Sequence, residues 1–421
     1  MGRLPILIIL SVLILAFDYY CFKAILAVFK TWKQRTKRIF AIAWWSYSIF
    51  LIIGVFVSIF ITIPSAYLGI RSIILVAFFL TLACKIVFLP FLVIDDLRRL
   101  LIRTGGLFKK KDEIQADSSS TAAEPITRSA FLVKAGLITA AVPLTSLTWG
   151  IATGAYDYKV IRRPLVLPNL PPAFEGMKLG QISDIHSGSF YNPRAVRGGV
   201  ETLLSEKPDL IFFTGDLVND MASEMRDYQD IFSKVKAPLG VFSSLGNHDY
   251  GDYHFGKESS PEKARNLQDV IKTHERMGWD LLMNEHRRLK VDGQEIGILG
   301  IENWGMGRFP KYGRMDLATK DTDDLPVKLL LSHDPSHWRA EVLEKYPQID
   351  AMFSGHTHGM QFGVRTKDFQ WSPVQYIYNE WAGLYTEKKQ QLYVNVGYGF
   401  LGYPGRVGIL PEITIFELRR A

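Results

Sequence analysis

Every long apolar stretch of this chain lies before Gly154, and all nine of its histidines lie after it. That segregation constrains the fold more than any motif, because it divides 421 residues into two parts suited to different solvents. Leu4 to Phe29, Phe40 to Ile63 and Ile73 to Val93 are almost continuously apolar. Each is long enough to cross a hydrocarbon core of roughly 30 Å as a helix. Ala130 to Ile151 carries Lys134, Pro143 and several hydroxyl residues, yet has the length of a fourth crossing. Buried helices of soluble proteins rarely run so far with so few charges. The expected organisation is a membrane domain over 1–154, with helices at 4–29, 40–63, 73–93 and 130–151 and a cytoplasmic linker at 94–128, then a second domain over 155–421.

The formal net charge of +7 suggests a nucleic-acid partner until its distribution is considered. Lys30, Lys33, Arg35, Lys37 and Arg38 lie between the first and second spans. Arg98, Arg99, Arg103, Lys109, Lys110, Lys111 and Arg128 lie between the third and fourth. Basic residues gathered at span ends report topology, so no nucleic-acid partner is implied. The turn from Pro64 to Arg71 carries only Arg71, and the N-terminal tip only Arg3. Both basic loops are therefore expected in the cytoplasm. The expected location is a multi-pass inner (cell) membrane protein with its second domain on the extracytoplasmic, periplasmic side. Asp112 to Pro125 is small, polar and aperiodic, as a linker would be. Asp18 and Lys23 are expected to pair or to sit near an interface, and with Lys85 they are too few for a transport pathway. Cys21 and Cys84 both fall in spans, which leaves the second domain without a disulfide or a cysteine-ligated zinc.

From Met177 the texture changes to short apolar runs alternating with amphipathic stretches, as in a layered α/β domain. Strands are predicted at 178–183, 210–214, 241–245, 327–332 and 351–354, and helices at 194–205, 222–235 and 261–277. A hairpin is predicted over 287–299 about Asp292-Gly293. Late strands at 392–396 and 412–418 are expected to complete a second sheet.

A polar cluster follows each of the first five strands: Asp184-Ile185-His186, Gly215-Asp216, Gly246-Asn247-His248-Asp249, Ser332-His333-Asp334 and Gly355-His356-Thr357-His358. Loops leaving the carboxyl ends of neighbouring strands converge on one crevice. Carboxylate, imidazole and amide oxygen suit manganese, iron or zinc, and a two-metal site needs about seven such groups with one bridging the ions. Alone, each cluster reads more readily as a turn or a cap than as a metal site, G-H-x-H the least so; in this order they form a joint signal. His254, His274, His286 and His337 have no partner motif and read as surface or packing residues.

The ordered set D-x-H, G-D, G-N-H-D, H and G-H-x-H resembles the calcineurin-like metallophosphoesterase superfamily over roughly Leu179 to Leu418, in particular its membrane-associated, exported branch. The resemblance implies a four-layer α/β (α+β) domain, with two mixed β-sheets flanked by helices, behind the N-terminal transmembrane helical bundle. It implies two divalent ions, one held by Asp184, His186, Asp216 and His358, the other by Asp216, Asn247, His333 and His356, with Asp216 as bridge. His248 would contact the phosphate and protonate the leaving oxygen, with Asp249 setting its orientation and charge. The implied reaction is hydrolysis of a phosphate mono-, di- or pyrophosphoester by a two-metal-activated hydroxide.

The membrane anchor directs the expected substrate toward a lipid or lipid-linked phosphate in the same bilayer, which the loop residues Trp304, Met306, Phe309 and Tyr312 would approach. The alternatives are a periplasmic phosphatase for soluble substrates and a non-catalytic metal-binding or sensor module. That branch of the family often reads G-H-T-H-G-G-Q, whereas this chain has Met360 after Gly359. The segment Tyr250 to Gly256, directly after the G-N-H-D cluster, is expected either to cover the metal centre or to form a solvated loop. Asn395 to Gly399 and Arg406 resemble the family's late strand and glycine-rich loop, with no role assigned.

Overall fold

The computed structural model describes residues 3–60, 68–107, 128–309 and 311–421. The chain forms two compact units, Met1–Thr148 and Trp149–Ala421.

Four helices, α1 (Arg3–Val28), α2 (Gln34–Phe60), α3 (Leu68–Leu107) and α4 (Arg128–Ala152), are each long and apolar enough to cross a membrane. Half of the turn expected at 64–71, and all of the linker expected at 112–125, lie outside the described residues; positions 68–71 open α3. Small residues let the helices of the first unit approach closely. A Cβ on Gly54 would stand 2.5 Å from Ile74 Cγ2, and one on Gly136 2.7 Å from the Phe88 ring.

In this unit one expectation fails, and one of two alternatives for Asp18 and Lys23 is set aside. α3 runs on through Leu107 instead of ending at Val93. The charges that suggested a loop support each other on one helical face: Asp95 pairs with Arg98 at 3.0 Å and Arg99 at 2.6 Å, three and four residues on. Asp18 pairs with Lys85 of α3, not with Lys23. Lys23, five residues along, has left the face of Asp18 and lies over the Tyr19 ring.

The second unit contains two six-stranded mixed sheets. The first runs in the order β1 (Lys159–Val166), β14 (Glu412–Arg419), β2 (Lys178–Ile182), β3 (Leu210–Thr214), β4 (Val241–Ser244), β5 (Asp280–Leu281). The second runs β12 (Gly383–Glu387), β13 (Gln390–Val394), β9 (Ala351–Ser354), β8 (Lys328–Leu331), β7 (Gln294–Gly300), β6 (Glu285–Val291). β10 (Val364–Arg365) and β11 (Gln370–Trp371) make a separate hairpin. β2, β3, β4 and β5 are mutually parallel, as are β7, β8, β9 and β13. β14 does not complete the second sheet as expected; it enters the first, antiparallel to β2 and parallel to β1.

Leu179, Phe212, Phe242, Ile296, Leu329, Phe353 and Phe416 fill the space between the sheets. On the outer face of the first sheet, Ile211 and Phe213 pack with Val200 and Leu203 of the helix Pro193–Ser205 and with Val270 of the helix Pro261–Met277. On the far side, Leu330 and Met352 pack with Trp338, Val342 and Leu343. Helix, sheet, sheet and helix are the four layers. Because β3 is covered on both faces its sequence, Leu-Ile-Phe-Phe-Thr, is apolar up to its last residue rather than alternating. Asn192 and Ser260 cap the two helices by accepting from the backbone N–H of Ala195 and Lys263, with proline in the first turn of each. The helix expected over 222–235 is instead a 3₁₀ turn, Ala222–Asp227, and a short helix, Gln229–Phe232. The Glu224 carboxylate folds back onto the N–H groups of Asn219, Asp220 and Met221 and fixes the tighter turn.

Candidate metal centre

The five clusters leave the carboxyl ends of β2, β3, β4, β8 and β9, and the structure brings all eight predicted side chains together. Asp184, His186 and His358 form one group able to hold a cation, and Asp216, His333 and His356 form another, with donor atoms within 4.8 Å of one another in each. Asp216 Oδ2 stands between the groups, 3.5 Å from His186 Nε2 and 3.1 Å from His333 Nε2. Asn247 Oδ1 joins the second group 2.9 Å from His356 Nδ1.

Tight turns aim these side chains. Asp184, His186, Asp216, His356 and His358 all have φ between 48° and 73°, the left-handed region that non-glycine residues avoid. Glycines allow the loops to close on one another. A Cβ on Gly246 would collide with the Asp216 carboxylate, and one on Gly355 with Ser183 Oγ and the Asp184 carboxylate. Gly355→Ala is therefore expected to keep the fold, read by circular dichroism, while weakening metal binding by roughly 10- to 100-fold in a chelator competition. Unchanged metal affinity would mean that Asp184 is not a ligand.

Asp249 does not touch the His248 ring, contrary to expectation. Its carboxylate accepts from the N–H groups of Asp216 (2.9 Å), Leu217 (2.8 Å), Val218 (3.3 Å) and Gly246 (2.8 Å), joining the loop after β3 to the loop after β4. Burial and the nearby Asp216 push its pKa up to about 7, against the pull of those donors. His248 is oriented by the Asn219 carbonyl, 2.7 Å from Nδ1. A carbonyl only accepts, so Nδ1 carries a proton and Nε2 is left for chemistry. The His248 backbone N–H donates to Asp216 Oδ1 at 2.9 Å, and its ring lies 4.8 Å from that of His186.

The electrostatics favour positive charge. Burial alone would lower the His333 pKa, but Asp216 outweighs it and pushes the imidazole up to about 10. Asp184, though buried, is held well below the usual carboxylate range by His358. Burial pulls His186 and His356 down, keeping those rings neutral as ligation requires. His186 is fully buried with neither ring nitrogen hydrogen-bonded, and His358 Nε2 faces Asp184 Oδ1 at 3.2 Å without a hydrogen bond. A field that draws a proton to His333, beside a His186 ring and a His358 Nε2 that make no hydrogen bond, fits a pair of divalent cations.

Sequence reasoning left several neighbours without roles. Arg406, buried against Nδ1 of His358 at 3.2 Å, donates to the carbonyls of Val396, Gly397 and Gly399. Tyr378 OH lies 2.7 Å from His356 Nε2, and Asp334 Oδ2 3.6 Å from the same atom. Nothing in the local sequence singles out Tyr378, which arrives from a separate loop. Tyr253, in the segment expected to cover the site, stacks on His248 at 4.5 Å, and its hydroxyl accepts from Asn247. Phe309 meets the His356 ring edge-to-face at 4.8 Å. His254, His274, His286 and His337 belong to neither ligand group; His274 and His337 are buried against Ser243 and Ser332.

Comparison with known proteins agrees with this geometry. Residues 3–155 match the family model described as probable calcineurin-like phosphoesterase, transmembrane domain, and residues 177–360 match calcineurin-like phosphoesterase. A Danio rerio transmembrane protein with metallophosphoesterase domain is 28% identical over 315 residues, 72% of this chain and 66% of the relative. The chain thus spans about two thirds of that relative's length. The uncharacterized metallophosphoesterase YkuE of Bacillus subtilis is 29% identical over 281 residues, covering 64% of this chain and 91% of that one. Phosphodiesterase YaeI of Escherichia coli is 26% identical over 242 residues, 56% of this chain and 80% of the relative. With its paired candidate ligand groups and its membrane helices, the chain is a membrane protein that carries a calcineurin-like phosphoesterase domain behind a matching transmembrane domain.

Proposed function

We propose that the chain hydrolyses a phosphate ester held in its own membrane, a lipid or lipid-linked phosphate. In this reading residues 1–154 are the anchor and 155–421 the hydrolase. Asp184, His186, Asp216 and His358 hold one ion; Asp216, Asn247, His333 and His356 hold the other. The position of Asp216 Oδ2 between the two groups carries the reading, because a two-metal site needs one shared anionic ligand. The mixed donor set suits manganese, iron or zinc.

When bound, two such cations activate water near neutral pH and offset the charge on a phosphoryl group. The chain's own residues do the remainder. His248, fixed by Asn219, donates from Nε2 to the leaving oxygen when protonated. Tyr253, over His248, and Phe309, against His356, flank the site and limit water at the reacting phosphate. The basic residues flanking the spans support an extracytoplasmic, periplasmic hydrolase domain. The name of the Escherichia coli relative supports diesters as the first ester class to try.

The test is turnover of bis-p-nitrophenyl phosphate, p-nitrophenyl phosphate and a panel of lipid phosphates by the full chain. The chain is stripped with chelator and then reloaded with manganese, iron or zinc. Activity is expected to vanish on stripping and return on loading. Hydrolysis of soluble esters alone would refute the lipid substrate, and no turnover on any ester by a folded, loaded chain would refute catalysis of this class.

A further inference from the structure

The segment following the G-H-T-H cluster carries a run of large apolar side chains that the second unit leaves uncovered. Met360, Phe362, Val364, Phe369, Tyr376 and Ile377 are exposed, the last two at 78% and 67%. Large apolar patches of this kind mark binding surfaces or membrane contact. The run abuts the metal centre, since Tyr378, next in sequence, reaches His356.

Its other flank leads to the residues that leave the membrane. Phe362 bridges Val407; Gly363 N–H donates to the Val407 carbonyl at 2.9 Å and Val407 N–H to the Gln361 carbonyl at 2.8 Å. The Gln361 side-chain amide donates to the carbonyls of Tyr403 and Gly405. The same 403–407 loop grips the final turn of α4 within the second unit. Arg406 N–H donates to the Gly150 carbonyl at 3.2 Å, and a Cβ on Gly150 would stand 2.6 Å from the Tyr403 hydroxyl. Trp149, 70% exposed on that turn, is the kind of residue that marks the level of the headgroups.

We propose that the 360–377 segment rests in the headgroup region of the bilayer that α4 enters, so that the metal centre opens at the membrane surface. The lipid substrate suggested by this placement rests on the function proposed above; the membrane contact itself does not. Attachment is aromatic rather than ionic, because Arg365 is paired with Glu412 and only Lys367 and Asp368 remain as charges on the segment. Added salt therefore leaves it in place.

The experiment uses the full chain in nanodiscs of phosphatidylethanolamine and phosphatidylglycerol. With Cys21→Ser and Cys84→Ser, the only native thiols are removed, and a spin label is attached through Tyr376→Cys or, as control, Lys207→Cys. Lys207 is exposed and precedes β3, at the end of the parallel strands opposite the metal ligands. At 376 the label is expected to collide several-fold more with oxygen than with a water-soluble nickel chelate, relative to the label at 207. Equal ratios overturn the proposal, and would also be the result if the segment docks a protein partner instead of lipid. Hydroxyl-radical footprinting of the unmodified chain in the same nanodiscs provides a second reading should the cysteine variants misfold. Phe369, Tyr376 and Ile377 are expected to be protected while Leu317, 47% exposed, is oxidised; oxidation of all four overturns it. Neither readout needs turnover, so failure here leaves the metal chemistry standing.

Discussion

Asp216→Asn is expected to lower kcat/KM on bis-p-nitrophenyl phosphate by roughly 10³-fold or more, with the fold intact. Asparagine keeps a carbonyl to accept the His248 backbone N–H. It sets an NH₂ where Oδ2 now stands, 3.1 Å from His333 Nε2 and 3.5 Å from His186 Nε2. The shared negative charge disappears, and an amide nitrogen is no ligand for either cation. Metal analysis should find fewer than two ions per chain. Near-normal turnover with two ions bound would reject Asp216 as the bridge and with it the two-metal mechanism.

His248→Ala is expected to cost about 10²- to 10⁴-fold in kcat while leaving bound metal unchanged, because the ring acts on the substrate and not on the ions. The deficit should grow as the leaving group becomes more basic, since p-nitrophenolate departs with little help and an alkoxide does not. Comparing bis-p-nitrophenyl phosphate with an alkyl phosphodiester makes the distinction. An equal loss on both would move His248 from proton transfer to phosphate binding. Loss of metal would make the His248 ring, packed against His186, a support for the metal site.

The site was more legible in the sequence than its surroundings. Ligand clusters sit directly after apolar runs, and the strands at 210–214 and 351–354 begin and end where those runs do, because a strand buried on both faces has no other signature. What the sequence obscured depends on partners far along the chain. β1 contains Arg162, Arg163 and Pro164, a composition suited to a sheet edge, and it is a strand because it pairs with β14 from Lys159↔Glu412 to Val166↔Arg419. The choice of sheet for β14 is equally non-local. The family resemblance implies that Asp249 orients His248, whereas four backbone donors from two loops claim its oxygens. Tyr378 and Arg406 reach the ligands from distant loops, and no spacing rule could anticipate them.

The left-handed backbone of five residues in the two candidate ligand groups predicts how a lineage of such chains would age once hydrolysis no longer mattered. Each of those positions holds a conformation that glycine or asparagine adopts more readily, with on the order of 1 kcal/mol to be recovered at each. Substitution there would be favoured by folding itself, before drift eroded the interior between the sheets. Retired members should then carry glycine or asparagine in place of Asp184, His186, Asp216, His356 or His358, on scaffolds more heat-resistant than their working cousins.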